Sequence, residues 1–190
     1  MFIQTEATPN PATLKFLPGR DVHPAGAIEF NDIEAAAASP LAAALFKIDG
    51  VRRVFFGADF ITVTKDAEID WPHIKPSLLG AIMDTFVSGA PVMTGSVTSE
   101  PSSSTGAYSG DAAQIVREIE ELLATRVRPA VAQDGGDIDF DRFEPETGTV
   151  YLRLRGSCAG CPSSTITLKQ GIENMLKHYV PEVLRVEQAL

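Results

Sequence analysis

Cys158 and Cys161 are the only strong soft ligands in 190 residues, and both lie in one run, Cys158-Ala159-Gly160-Cys161. Two intervening residues let the chain double back so that both sulfurs can face one small object. Gly160 permits the positive φ such a loop often needs, and Gly156 does the same at its entrance. Pro162 fixes the exit into a helix, whose N-terminus supplies partial positive charge and free N–H groups. Both favour the thiolate, the form that binds metal or attacks a disulfide. Arg153 and Arg155 stand close enough in sequence to add to the effect. Four chemistries fit the residues: a buried structural pair, thiol–disulfide exchange, zinc and an iron–sulfur cluster. The exchange reading departs from the usual redox arrangement, in which the pair opens a helix after the first strand of a βαβ unit. Here a β-hairpin precedes it. Zinc takes four protein ligands and a cluster takes about four thiolates. One chain supplies two, so a metal site is either shared between two chains at a two-fold axis or left open at two positions. Such a site is expected at the surface, from which a cluster could leave by ligand exchange. His178 lies past the far end of the following helix and reads as an exposed side chain. Zinc and iron both satisfy this arithmetic.

The elements that must position the pair follow from apolar spacing. Ile115, Ile119, Leu122 and Leu123 predict a helix with Asp111 as N-cap, running to about Val131 despite Pro129. Asp134-Gly135-Gly136-Asp137 lacks the spaced oxygen ligands of a calcium loop and reads as a turn that stops this helix. Residues 138–143 and 149–155 read as strands; Val150, Leu152 and Leu154 alternate with Tyr151, Arg153 and Arg155, the period of a half-buried sheet. Ser163 or Ser164 is expected to cap the next helix, with Leu168, Ile172, Met175, Leu176 and Tyr179 on one apolar face. Gly171 inside it is either tolerated strain or a point of close approach to another backbone or subunit. A short strand over 183–186 closes the chain, giving α-β-β-α-β.

The amino-terminal part alternates strand and helix signals. Residues 1–5 and 13–17 are short apolar runs with Pro9 and Pro11 between them. Leu41, Ala44, Leu45 and Ile48 mark a helix, with Ser39 at the N-cap, Pro40 at its first position and Gly50 beyond its end. Residues 51–56 and 60–64 form a hairpin. Asp70 caps a last helix to about Val87, with a kink or restart expected at Pro76. The order is β-β-α-β-β-α. Phe55, Phe56 and Phe60 form an aromatic cluster, mostly core. Adjacent strand residues face opposite ways, so one of Phe55 and Phe56 is a candidate contact for a client. His23 and His73 read as loop and capping residues.

Between these parts, residues 88–110 contain seven Ser, four Gly, three Thr and two Pro, with Glu100 as the one charge. This composition predicts a flexible linker. The fold class is therefore α+β: two small α/β-sandwich-like domains, residues 1–87 and 111–190, on a tether over 88–110. A net charge of −9 excludes a basic nucleic-acid groove as the default function. No apolar run approaches the roughly 20 residues needed to span a membrane. The start has no secretory signal, and two cysteines three positions apart cannot form a disulfide framework. A reducing compartment follows: the bacterial cytoplasm, or alternatively the mitochondrial matrix after processing.

The stretch DGGDIDF, followed by VYLRLRGSCAGCPSSTITLKQGIENMLK, resembles the NifU C-terminal-type domain of the Nfu iron–sulfur scaffold family. MFIQTEATPNPATLKFLPG and VRRVFFGADFITVTK resemble the amino-terminal domain of the same family. The additional cysteine-rich modules of the nitrogen-fixation scaffold are missing. The resemblance implies a [4Fe–4S] cluster, with [2Fe–2S] as the alternative, held between the subunits of a homodimer by the thiolates matching Cys158 and Cys161. It implies transfer to apo iron–sulfur clients such as lipoyl synthase or aconitase-like enzymes. It also implies an amino-terminal domain, free of cysteine here, that recognises clients or upstream cluster assembly proteins. On this reading the protein is a carrier and not an enzyme, with no nucleic-acid or membrane partner. A thiol–disulfide oxidoreductase and a zinc-bridged structural dimer stand as alternatives.

Overall fold

The computed structural model describes residues 2–94, 108–159 and 162–189. Most of the expected linker, along with Gly160 and Cys161, lies outside the described residues. The amino-terminal half contains β1 (Gln4–Ala7), β2 (Thr13–Leu17), β3 (Ile28–Phe30), α1 (Pro40–Phe46), β4 (Val51–Phe56), β5 (Ile61–Lys65) and α2 (Trp71–Ser88). Its five strands form one antiparallel sheet in the order β1-β2-β5-β4-β3. Ser39 caps α1 as expected: its hydroxyl accepts from the Ala42 N–H at 3.0 Å. The helix α2 continues through Pro76 without a restart and ends at Gly89, whose φ is +69°. That left-handed conformation is open to glycine at no steric cost. Phe16, Leu41, Leu45, Phe56, Ile61 and Ile82 close a core between the sheet and the two helices. Burying side chains of this size contributes about 1.5–3 kcal/mol each.

Two elements go beyond the predicted order. Strand β3 pairs with β4, and a 3-10 turn spans Ala35–Ala38. Both are too short to carry a periodic signal. Strand β1 begins three residues later than expected, which places Glu6 opposite Lys15.

The carboxy-terminal half contains α3 (Asp111–Leu122), α4 (Arg128–Gln133), β6 (Gly136–Glu144), β7 (Thr149–Gly156), α5 (Pro162–Tyr179) and β8 (Arg185–Gln188). Gly110, not Asp111, holds the N-cap position of α3. A π-turn over Leu123–Val127 joins α3 to α4. Pro129, in the first turn of α4, has no N–H to give and crowds the carbonyl four residues back, and the wider turn accommodates it. In the sheet β6-β7-β8, β7 runs antiparallel to β6 and parallel to β8. Strand β8 starts two residues beyond the expected run, because Leu184 and Arg185 donate to the Gly148 carbonyl first. Val116, Ile119, Ile138, Leu152, Ile172 and Leu176 form the second core. Tyr179 does not join it. It is 45% exposed, with the Arg126 guanidinium 4.9 Å from its ring centre. Ser163 and Ser164 fall inside α5, which already begins at Pro162. The two domains are α+β, each with one sheet and its own core.

Candidate metal centre at the cysteine turn

Strand β7 ends on Gly156, whose φ of +64° turns the chain out of the sheet. A Cβ there would lie 2.8 Å from the Gly135 carbonyl oxygen and 3.0 Å from the Gly136 Cα, so only glycine lets the two turns approach so closely. The next residues are tied to the Asp134–Gly136 turn. The Ser157 N–H donates to the Gly135 carbonyl, and the Ser157 hydroxyl donates to the Asp134 carbonyl. The Cys158 carbonyl accepts from the Thr165 hydroxyl at 3.2 Å, linking the loop to α5.

These contacts seat the Cys158 sulfur on the backbone of Gly136. A Cβ at Gly136 would meet Sγ at 2.6 Å and the Arg155 carbonyl at 2.8 Å. Asp134-Gly135-Gly136-Asp137 is therefore a helix stop, as expected, and also the floor of the sulfur pocket. Sequence reading missed this second role. Two adjacent glycines facing a Gly-Ser-Cys turn were its only trace.

Two expectations are overturned here. Cys158 is 8% exposed and joins the second core, so its sulfur is not at the surface. The reason is the missing side chain at Gly136, which leaves a sulfur-sized hollow. The thiolate is also not favoured. Burial pushes the Cys158 thiol up to about 11; the Ser157 hydroxyl opposes this, and Asp134 and Asp137 add to it. Desolvation of an anion outweighs one weak hydrogen bond. The arginines are engaged elsewhere: Arg155 pairs with Asp139 at 2.8 Å and Arg153 with Asp141 at 2.7 Å. Arg128 forks onto Asp137 through two hydrogen bonds, of 2.9 and 2.6 Å. The hydrogen bonding of Asp137, joined by the charge of Asp137 and Asp139, raises the guanidinium pKa against the pull of burial.

No group of three or more His, Cys, Asp or Glu side chains able to hold a metal occurs among the described residues. Cys161, the second expected ligand, lies outside them. His178 is exposed near the end of α5, edge-on to Tyr179. The His23 ring bonds the Gly26 carbonyl in its own loop, and His73 sits in the first turn of α2. The described donor set thus supplies one thiol, that of Cys158. No helix among the described residues is long and apolar enough to cross a membrane.

The Gly156 N–H donates to Glu29 Oε1 of the amino-terminal domain at 2.9 Å. Beside this bond a groove of about 530 Å³ opens between Glu29, Asn31, Arg52 and Arg53 on one side and Arg153 and Ala159 on the other. Of the aromatic pair, Phe56 is in the first core, whereas Phe55 is outside it, yet only 1% exposed. Neither is available at the surface in this arrangement.

A family model described as "Scaffold protein Nfu/NifU N terminal" matches residues 3–89, and one described as "NifU-like domain" matches residues 119–187. The chain is 51% identical over 188 residues to "NifU-like protein 4, mitochondrial" of Arabidopsis thaliana, covering 99% of this chain and 66% of that protein. It is 51% identical over 191 residues to "NFU1 iron-sulfur cluster scaffold homolog, mitochondrial" of Homo sapiens, covering 100% of this chain and 72% of that protein. The chain thus spans about two thirds of the length of the curated relatives it matches. The solution structure of a NifU-like protein from Saccharomyces cerevisiae is 28% identical, with a TM-score of 0.46, covering 50% of this chain and 85% of that one. Matching family models over both domains, and half-identity to relatives along the whole chain, make this protein a member of the Nfu/NifU family.

Proposed function

We propose that this protein is an iron–sulfur cluster scaffold and carrier. It holds a [4Fe–4S] cluster through Cys158 and Cys161 of each subunit in a homodimer, then passes the cluster to apo-proteins. The observation that carries this reading is the half-site: one cysteine pair, Cys158 and Cys161, between β7 and α5, in a chain whose sequence holds no other cysteine. A half-site suits cargo, because the remaining ligands come first from a second copy and then from the recipient. Ile166, 64% exposed on α5 close to the cysteine turn, gives the second copy an apolar contact there. The name of the human relative, an iron–sulfur cluster scaffold homolog, points the same way.

On this reading the cluster is substrate, and the chain's residues contribute positioning. Gly156 and Ser157 aim Cys158, and Pro162 starts the helix that follows Cys161. Residues 1–87 serve recognition of clients or upstream assembly proteins, 88–110 are the tether, and 111–190 carry the cluster. The mitochondrial names of the relatives accord with the matrix alternative for location.

Anaerobic reconstitution of the full chain with iron and sulfide tests the proposal. A brown chromophore is expected, with iron and acid-labile sulfide in equal amounts, in a species that sediments as a dimer. Mössbauer spectra would separate [4Fe–4S] from [2Fe–2S]. Cys158→Ser and Cys161→Ser should each abolish the chromophore. A chromophore that survives either change would refute the ligand assignment, and zinc without sulfide would establish the structural alternative instead.

A further inference from the structure

The outer face of the first sheet carries one registered row across all five strands. Glu6 pairs with Lys15, Lys15 with Thr62, Thr62 with Phe55, and Phe55 with Glu29. Residues directly opposite each other across a sheet share a face. The neighbouring row, Phe16, Ile61, Phe56 and Ile28, points the other way into the core. A solvated outer row would tolerate this mixture. Here its three central members are buried, with Lys15 7%, Thr62 1% and Phe55 1% exposed.

Their partners lie in the other domain, on the two turns that hold Cys158 and on the end of α4 that leads into the first of them. The Lys15 ammonium donates to the Ala132 and Gln133 carbonyls, each at 3.1 Å. These are carbonyls at the C-terminus of α4, the end of a helix that attracts a cation. The Thr62 hydroxyl donates to the Gly135 carbonyl at 2.8 Å. Glu29 accepts from the Gly156 N–H. The Phe55 ring edge lies 3.2 Å from where a Gly156 Cβ would be. Four adjacent residues of one row therefore grip the end of α4, the Asp134–Gly136 turn that follows it and the Gly156–Ser157 turn, and these two turns close the pocket around the Cys158 sulfur.

We infer that this row is an intramolecular latch. Its partner is the chain's own pair of glycine turns, and while it is closed Cys158 stays sunk against Gly136. Release of the row removes the Thr62 bond from the Gly135 carbonyl, leaving it to Ser157, and frees the Gly156 N–H; the two turns, then held to each other by the Ser157 bonds and the β6–β7 pairing alone, loosen and bring the sulfur out for a second chain or a cluster. The gating of cluster loading rests on the ligand role proposed for Cys158; the latch itself does not.

The test uses the full chain in a Cys161→Ser background, where Cys158 is the one remaining thiol. Lys15→Glu places an anion against two carbonyls, and Glu29→Ala removes the acceptor at Gly156. Each should raise the rate of Cys158 alkylation by iodoacetamide about tenfold or more, the scale of one lost charge-assisted hydrogen bond. Each should also enlarge the radius of gyration from solution scattering. Lys75→Ala, on the outer part of α2, should change neither. Folded variants that alkylate at the parent rate would overturn the latch, as would a parent whose scattering already shows separated domains. If Lys15→Glu does not fold, Glu29→Ala tests the same latch through the Gly156 turn. Failure of reconstitution in every form of the two-cysteine protein would remove the cluster reading while the alkylation rates still report the latch.

Discussion

The two sheets each lay one face on helices and differ in what they do with the other. The second sheet's outer face is a ladder of opposite charges, Asp139 to Arg155 and Asp141 to Arg153, and Arg153 is 47% exposed there. It is built for water, and pairs of this kind contribute about 0–1 kcal/mol each. The first sheet's outer face carries a row of mixed residues, Lys15, Thr62, Phe55 and Glu29, with polar atoms aimed at backbone groups of the other domain. A charge ladder satisfies itself. The mixed row is satisfied by something that approaches. The contrast shows why a domain without cysteine can still bear on cysteine chemistry: it holds the backbone on which the sulfur rests.

The comparison is broken most severely by substitutions in the adjacent pair Phe55 and Phe56. Phe56→Ala empties the first core and should cost about 3–5 kcal/mol in urea unfolding. Phe55→Ala should leave that core intact and instead speed hydrogen exchange at the Gly156 amide, which Glu29 protects. Equal losses of stability from both would mean that Phe55 belongs to the first domain's own core.

A smaller effect is expected from glycines. Gly136→Ala drives a methyl into Sγ and into the Arg155 carbonyl, and should destabilise by about 1–3 kcal/mol. Gly171 has no atom within 4 Å of a would-be Cβ, so Gly171→Ala should stabilise by about 0.5–1 kcal/mol through the unfolded chain and helix propensity. The open space also excludes close approach by another backbone within the described chain. Destabilisation of the dimer alone by Gly171→Ala would place that face at the subunit contact.

The smallest effect belongs to the ladder. Arg153→Ala should cost less than about 1 kcal/mol and leave the alkylation rate of Cys158 unchanged. A large change in that rate would show that the second sheet's outer face also controls the sulfur.

Much of this molecule was legible along the chain. The β4–β5 hairpin follows from β-branched and aromatic runs around a short turn. Helix α1 follows from Ser39, Pro40 and the spacing of Leu41, Ala44 and Leu45, all local signals. The cysteine turn was legible because Gly156 and Pro162 bracket it with known backbone preferences. Strand β3 was not, because three residues cannot show a period. Tyr179 satisfied the helical spacing and still stayed out of the core, because spacing gives a face but not where the opposing layer ends. The Cys158 thiol departs from its local signals for a related reason. Helix N-terminus and arginines are visible in sequence, whereas desolvation depends on what packs against the sulfur.

By itself the sequence determined the donor arithmetic: two thiols in one turn, half of what a four-ligand site takes. It also determined two α+β domains, since periodicity and turn residues act within a few positions of one another. Tertiary structure alone decided that Cys158 is buried, that Gly136 makes its pocket, and that a row of the first sheet holds that pocket shut. Those contacts join residues separated by up to 127 positions. No local rule couples Glu29 to Gly156. The register of five strands and the approach of two glycine turns do.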